Sequence, residues 1–145
     1  MEIRDLTTFD ELKSTFPVLK EMYPDLTREA YETELQLMIS NNYGQLAVYE
    51  NSEYIGLSGY WFNSKLWCGK YLELDNVIIR ERYRSKGVGD FLFDAAKRKA
   101  EELNCSILTL DSYTDNFKAH KFFYNHGYVP RGFHFINVLD KEKLR

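Results

Sequence analysis

The apolar positions of the chain change period along its length, and each change marks an element. Ile3 and Leu6 give a short first strand. Thr8 followed by Glu11 has the spacing of a capping box, in which the two residues cap a helix start reciprocally. Phe9, Leu12, Phe16 and Leu19 then recur at helical spacing. Pro17 breaks or kinks that helix unless it stands in the first turn of a separate one. Pro24 and Asp25 turn the chain, and Thr27 caps a second helix carrying Tyr31, Leu35, Met38 and Ile39. Asn41-Asn42-Tyr43-Gly44 stops it.

Strand patterns follow over residues 45–50 and 54–62, with a tight turn at Asn51 and Ser52. Gly56 and Gly59 lie inside the second strand and mark a bulge or the close approach of another group. Residues 61–70 are aromatic and irregular, and read as a long hairpin connection. Residues 71–80 form the next strand. In its first half Leu72 and Leu74 face one way, and Glu73 and Asp75 the other, roughly 7 Å apart. A helix follows with Val88, Phe91, Leu92, Ala95, Ala96, Ala100 and Leu103 on one face, ending at Asn104. Residues 107–110 are a buried strand. A short helix carrying Ala119, Phe122, Phe123 and His126 stops at Gly127. Residues 128–139 read as a hairpin turning near Pro130-Arg131-Gly132. The predicted order is β-α-α-β-β-β-α-β-α-β-β, without internal repeat, linker or low-complexity segment.

Composition narrows the class. A chain of 145 residues, 44% hydrophobic and 16% aromatic, can bury a core and suits one globular domain. A net charge of −3 leaves no broad cationic face for nucleic acid. Cys68 and Cys105 lack metal-ligand spacing. The start Met1-Glu2-Ile3-Arg4-Asp5 is too polar for a signal peptide, and no window reaches membrane-spanning length. These features suggest a cytoplasmic protein with neither nucleic acid nor membrane as partner.

The candidate chemistry sits between the fourth predicted strand and the helix after it. The apolar run Val77-Ile78-Ile79 ends in a charged turn, and the turn closes on Gly87-Val88-Gly89. Glycines let a backbone approach a ligand closely. The open N–H groups and the dipole of a helix start favour an anion. Arg80, Arg82, Arg84 and Lys86 concentrate positive charge there. The stretch reads as a phosphate-binding loop. A Walker loop needs Gly-Lys-Ser/Thr after four spacers, and the dinucleotide fingerprint needs a third glycine where Leu92 stands; both fail.

The pattern Arg84-x-x-Gly87-x-Gly89 after an apolar strand resembles the R/Q-x-x-G-x-G/A loop of the GNAT superfamily of N-acetyltransferases. A second stretch, Asn116-x-x-Ala119-x-x-Phe122-Phe123-Tyr124-x-x-Gly127-Tyr128, is similar to that family's N-x-x-A-x-x-F/L-Y-x-x-x-G-F/Y signature. The element order matches as well, so the resemblance covers nearly the whole chain. It implies an α/β (α+β) fold, a single domain over residues 1–145 whose mixed, mostly antiparallel central sheet is flanked by helices. It also implies acetyl-CoA as cosubstrate and an amine, on a small molecule or a peptide, as acceptor.

The same resemblance implies roles for residues. Val77, Ile78 and Ile79 would offer backbone groups to the pantetheine arm, with the side chains of Val77 and Ile79 in the core. Arg84, Ser85, Lys86, Gly87, Val88, Gly89 and Asp90 would cradle the pyrophosphate, although a carboxylate at Asp90 opposes an anion unless it points away or caps the helix. Asn116 would hydrogen-bond the pantetheine. Glu73, Asp75 and Asp111 are candidate bases, with Glu73 first. The family's general acid, a tyrosine, falls on Phe123. Tyr124 is one residue late, which rotates a helical side chain by about 100°. Either Tyr124 reaches the sulfur through a helix distortion or the chain has no side-chain acid. An acetyltransferase and a non-catalytic coenzyme A sensor on the same fold both fit these residues. Homodimerisation also stays open, since no seam is legible.

Overall fold

The computed structural model describes residues 1–145, which fall into two compact units, Met1–Leu110 and Asp111–Arg145. The first unit holds strand β1 (Glu2–Leu6), helices α1 (Phe9–Lys13), α2 (Phe16–Met22) and α3 (Arg28–Ser40), and strands β2 (Tyr43–Glu50), β3 (Glu53–Lys65) and β4 (Gly69–Ile79). Helix α4 (Val88–Glu102) and strand β5 (Ile107–Leu110) complete it. The second unit holds α5 (Phe117–Asn125) and a 3₁₀ turn at Lys141–Lys143. No helix is long and apolar enough to cross a membrane.

Local sequence chemistry sets the helix starts. At α1 the Thr8 side chain accepts from the Glu11 N–H, and the Glu11 carboxylate accepts from the Thr8 N–H at 3.0 Å. Pro17 opens α2, where a missing N–H costs nothing. The Thr27 hydroxyl accepts from the Ala30 N–H and caps α3. Gly87, at φ 78°, is the cap of α4.

The sheet runs in the order β1-β2-β3-β4-β5. Its first three pairings are antiparallel, and β4 pairs β5 in parallel. Side chains alternate between two faces. Tyr43, Ala47, Leu57 and Ile78 join Leu12, Leu19, Tyr31 and Leu35 in one core with α1–α3. On the opposite face α4 supplies Val88, Leu92, Ala96 and Ala100. An α/β fold with a mixed sheet flanked by helices is thus present.

Three expectations need correction. Residues 61–70 are not an irregular connection: β3 and β4 stay paired out to Lys65 and Gly69, and Gly69 turns at φ 72°. Aromatic side chains favour a pleated, half-buried surface, so Trp61 and Phe62 continue the strand instead of ending it. The expected hairpin over residues 128–139 does not form, and no strand follows Leu110. Its first arm would be only Tyr128 and Val129, between Gly127 at φ 81° and Pro130, which has no N–H to donate. In β4, Ile78 is the residue buried in the core, while Val77 and Ile79 are half-buried. The cause is a bulge. Gly59 pairs with Asp75 and Leu57 with Ile78, so one residue of β3 opposes two of β4, Asn76 and Val77. Beyond an extra residue every side chain changes face.

The two strand glycines mark close approach, as expected. A Cβ on Gly59 would lie 2.6 Å from the Tyr43 hydroxyl and 3.1 Å from the Asp75 carbonyl oxygen. We predict that Gly59→Ala lowers stability by about 1–3 kcal/mol through overpacking. Gly132→Ala, with nothing within 4 Å, leaves stability unchanged. Urea unfolding of the two variants checks the contrast, and equal midpoints would contradict it.

Candidate active site

The site grows from the way β4 outlasts its neighbour. The parallel ladder with β5 ends at Leu74 and Leu110. Strand β4 then runs five residues further, through Asp75, Asn76, Val77, Ile78 and Ile79, paired to β3 on one side only. Its other edge offers N–H and C=O groups to a ligand, the arrangement by which an extended molecule adds to a sheet. The bulge falls inside this stretch, at Asn76, whose φ is 52°. Asparagine is among the few non-glycine residues that enter the left-handed region readily.

Beyond Ile79 the chain turns through Glu81–Tyr83 and reaches α4. Ser85 and Gly87 both have positive φ, 58° and 78°. No side chain caps the start of α4. Its first N–H groups therefore open to solvent beside exposed Arg84, Ser85 and Lys86, with Val88 buried beneath and Gly89 half-buried. Asp90 is exposed in the first turn, where a carboxylate suits the helix dipole.

The basic cluster divides in two. Arg80 binds Glu21 at 2.7 Å and Glu53 at 2.9 Å. Arg82 also pairs with Glu53, and the Tyr83 hydroxyl donates to that carboxylate at 2.7 Å. These contacts tie the turn to β3. Arg84 and Lys86 are engaged by no carboxylate. The Arg84 Nε donates to the Ile79 carbonyl at 3.1 Å, and the Lys86 ammonium lies 5.6 Å from the Tyr83 ring centroid. Arg84 and Lys86 are thus the two cations of the cluster whose charge is not already matched. The role of Glu53 as a partner for this cluster is not readable from local sequence, since it lies 27 residues or more before the arginines.

On the α1–α3 face, Glu73 and Asp75 are half-buried, and Glu73 pairs across the sheet with Trp61. The Trp61 Nε1 donates to Asp75 Oδ2 at 3.2 Å, and Trp61 packs on Tyr43 at 4.9 Å between centroids. Burial pushes the Tyr43 hydroxyl pKa up, so it stays protonated. Asp75 is therefore an acceptor for an indole N–H, while Glu73 faces the same side one pleat earlier.

The second unit carries the remaining candidates. Asp111 Oδ2 lies 2.7 Å from His134 Nδ1, a partner that the sequence did not reveal. His120 Nε2 lies 2.8 Å from the Tyr113 carbonyl, and His126 Nδ1 lies 2.9 Å from the Phe122 carbonyl at the end of α5. Asn116 caps α5, its side chain accepting from the Ala119 N–H at 3.3 Å. Helix α5 is regular through Phe123 and Tyr124, without the distortion that would swing Tyr124 round. Phe123 is half-buried, 6.2 Å from the Tyr128 ring, whereas Tyr124 is 56% exposed.

The parallel ladder of the mixed sheet thus gives way beside an uncapped, glycine-led helix start. Residues 6–128 match the Acetyltransferase (GNAT) family, and the chain belongs to that family. It is an acetyltransferase, with acetyl-CoA as cosubstrate. Among curated proteins it is similar to the uncharacterised N-acetyltransferase YhdJ of Bacillus subtilis (strain 168), with 26% identity over 124 residues, 85% of this chain and 87% of the relative. Among solved structures it is similar to the ribosomal-protein-alanine N-acetyltransferase of Brucella melitensis biovar Abortus 2308. The TM-score is 0.79 at 15% identity, over 96% of this chain and 100% of the other. It is also similar to AAC(6')-Iy in complex with the bisubstrate analogue CoA-S-monomethyl-acetylneamine, at TM-score 0.79 and 15% identity, over 94% and 97% of the two chains.

The Glu53 cluster yields a pH prediction. The Tyr83 hydroxyl first, then Arg82 and Arg80, hold the Glu53 carboxyl below its usual range. A depressed carboxyl contributes stability that is present above its unfolded value, about 4.3, and lost as pH falls through the lower folded value. Glu53→Gln should therefore lower the melting temperature at neutral pH, with the gap to wild type closing below about pH 4. Melting curves across that range check it, and a gap independent of pH would contradict it.

Proposed function

We propose that the chain, acting as one domain over residues 1–145, transfers acetyl from acetyl-CoA to a primary amine by direct attack in a ternary complex. The observation that carries this reading is the coincidence of two features, the open edge of β4 after Leu74 and the uncapped start of α4 nine residues beyond the end of that strand. A pantetheine arm is an extended amide chain suited to the first, and a pyrophosphate is suited to the second. In this reading backbone groups of Val77, Ile78 and Ile79 pair with pantetheine. The N–H groups of Val88, Gly89 and Asp90, with Arg84, Ser85, Lys86 and Gly87, hold the pyrophosphate. Asn116 contributes a hydrogen bond to pantetheine in addition to its capping bond.

The chemistry follows from these positions. The neutral amine nitrogen attacks the thioester carbon, and the C–S bond breaks as the tetrahedral intermediate collapses. The acceptor ammonium first gives one proton to Glu73, directly or through one water, and after attack the nitrogen sheds its second proton to solvent. A β4 backbone N–H stabilises the developing oxyanion. The thiolate takes its proton from solvent, because Phe123, at the position of the family's tyrosine, has none to give and the regular α5 keeps Tyr124 one residue late. Asp111 with His134 is a second base in reserve. The carboxylates Glu73 and Asp75 favour an acceptor that arrives as an ammonium, and Trp61 gives it an aromatic wall. Acceptors of this kind include neamine-like aminoglycosides and a ribosomal-protein alanine, the groups that the related structures' names carry.

Calorimetry and thiol release with a panel of amines test the reading. Gly89→Val should weaken acetyl-CoA binding by about tenfold or more, equivalent to 1.4 kcal/mol, with wild-type folding retained. NAD should bind far more weakly than acetyl-CoA. Undiminished acetyl-CoA affinity in the folded variant would move the ligand elsewhere.

Glu73→Gln separates the bases. Its turnover should fall by about 10²-fold or more at neutral pH and approach wild type at high pH, where the amine is already free. A pH–rate profile like that of wild type would transfer the role to Asp111.

A further inference from the structure

The acetyl-transfer reading assigns roles to the open edge of β4 but not to the residue that shapes it. Asn76 is the extra residue of the bulge and sits at φ 52°. A non-glycine residue in this region carries a cost, and something must hold it there. Two tyrosines do. The Tyr23 hydroxyl, from the C-terminal end of α2, donates to Asn76 Oδ1. The Tyr43 hydroxyl stands beside the Asn76 side chain.

The clamp is anchored in the core. Gln45, fully buried, donates from Nε2 to the hydroxyls of Tyr43 and Tyr31, each at 3.1 Å. Gln45 Oε1 accepts from the buried Thr15 hydroxyl at 2.7 Å. The Tyr31 hydroxyl donates to the Leu12 carbonyl at 2.8 Å. Gly59, opposite the bulge, leaves room for the Tyr43 hydroxyl to cross the β3 backbone. A chain of hydrogen bonds thus runs from α1 and α3 through Gln45 of β2 to the Tyr43 hydroxyl, which stands beside the bulge. Satisfied buried networks of this kind fix one conformation, because each member left unpaired is costly.

We propose that Asn76 and Tyr23 are positioning residues for acetyl transfer. By fixing the bulge they aim the backbone groups of Val77 and Ile78 at the thioester carbonyl. The proposal rests on the acetyl-transfer reading. It separates two tasks within one ligand: the loop before α4 holds the phosphates, and the clamped bulge orients the acetyl group. Loss of the clamp therefore harms orientation and spares affinity for coenzyme A.

The test uses full-length Tyr23→Phe, Asn76→Gly and the double variant. Coenzyme A and acetyl-CoA affinities are measured by calorimetry. Turnover is measured with the best amine of a panel that includes neamine and an alanine-ended peptide. Backbone ¹H–¹⁵N shifts of Val77 and Ile78 are compared with acetyl-CoA and with coenzyme A, a readout that needs no acceptor. Wild type should show acetyl-dependent shifts at Val77 or Ile78. Tyr23→Phe should lose most of that difference and five- to tenfold in kcat, with coenzyme A affinity within twofold of wild type. In the Asn76→Gly background Tyr23→Phe should add nothing, because both changes remove the same contact. The proposal is overturned if Tyr23→Phe keeps kcat and the acetyl-dependent shifts, if coenzyme A affinity falls as far as kcat, or if the two substitutions multiply. A wild-type protein that binds neither form of the cofactor would instead overturn the acetyl-transfer reading, and this proposal with it.

Discussion

One extra residue in β4 governs the rest of the site. Without the bulge at Asn76, Ile78 would face α4 and Ile79 would face α1–α3. With it, Ile78 enters the core formed with α1–α3, and the Ile79 side chain reaches Gly56 on the α4 side. A Cβ on Gly56 would stand 2.8 Å from Ile79 Cδ1 and 3.4 Å from Val88 Cγ1, so the bulge also sets how the start of α4 packs. The end of the β5 ladder at Leu110 leaves the same residues open on the other edge. Shape and accessibility of the proposed donor seat thus have two backbone causes, the bulge and the end of the β5 ladder, which act on the same residues.

Electrostatics adds direction to that shape. The turn after β4 carries four cations, but two of them are spent on Glu21 and Glu53. Those ion pairs stand at the surface and contribute little stability singly. They hold the turn against β3, so that Arg84 and Lys86 remain beside the helix start. A dipole whose N–H groups lack a side-chain cap then faces the same volume. On the α1–α3 face the sign reverses, with Glu73 and Asp75 beside Trp61. The two faces of one strand thus carry opposite charge, as the proposed anionic donor and cationic acceptor require.

The elements written in local chemistry were legible. The Thr8–Glu11 box, the Thr27 cap and the turn at Asn51 and Ser52 are all set by neighbours in sequence. So is the glycine before α4, and the apolar strand 107–110 was found at its observed bounds, although it is half-buried instead of buried. Features decided by distant partners were not legible. Nothing near Asn76 announces a bulge, because the register is settled by Gly59 and Tyr43 across the sheet. Arg80 and Arg82 look like Arg84 until Glu53 is brought beside them. The apolar alternation of residues 128–139 resembles a strand, yet alternation supplies no ladder when one arm is two residues long. The one-residue offset of Tyr124 was legible, and the regular α5 keeps that offset as a difference in exposure.

Hydrogen–deuterium exchange with and without coenzyme A tests the central claim most directly. The account predicts slowed exchange at two places, the β4 amides of residues 77–79 and the amides of residues 85–90 at the start of α4. Both segments should respond at the same ligand concentration, since one molecule spans them. Protection of the loop alone, with β4 unchanged after Leu74, would contradict the claim that the opened edge is the donor's seat.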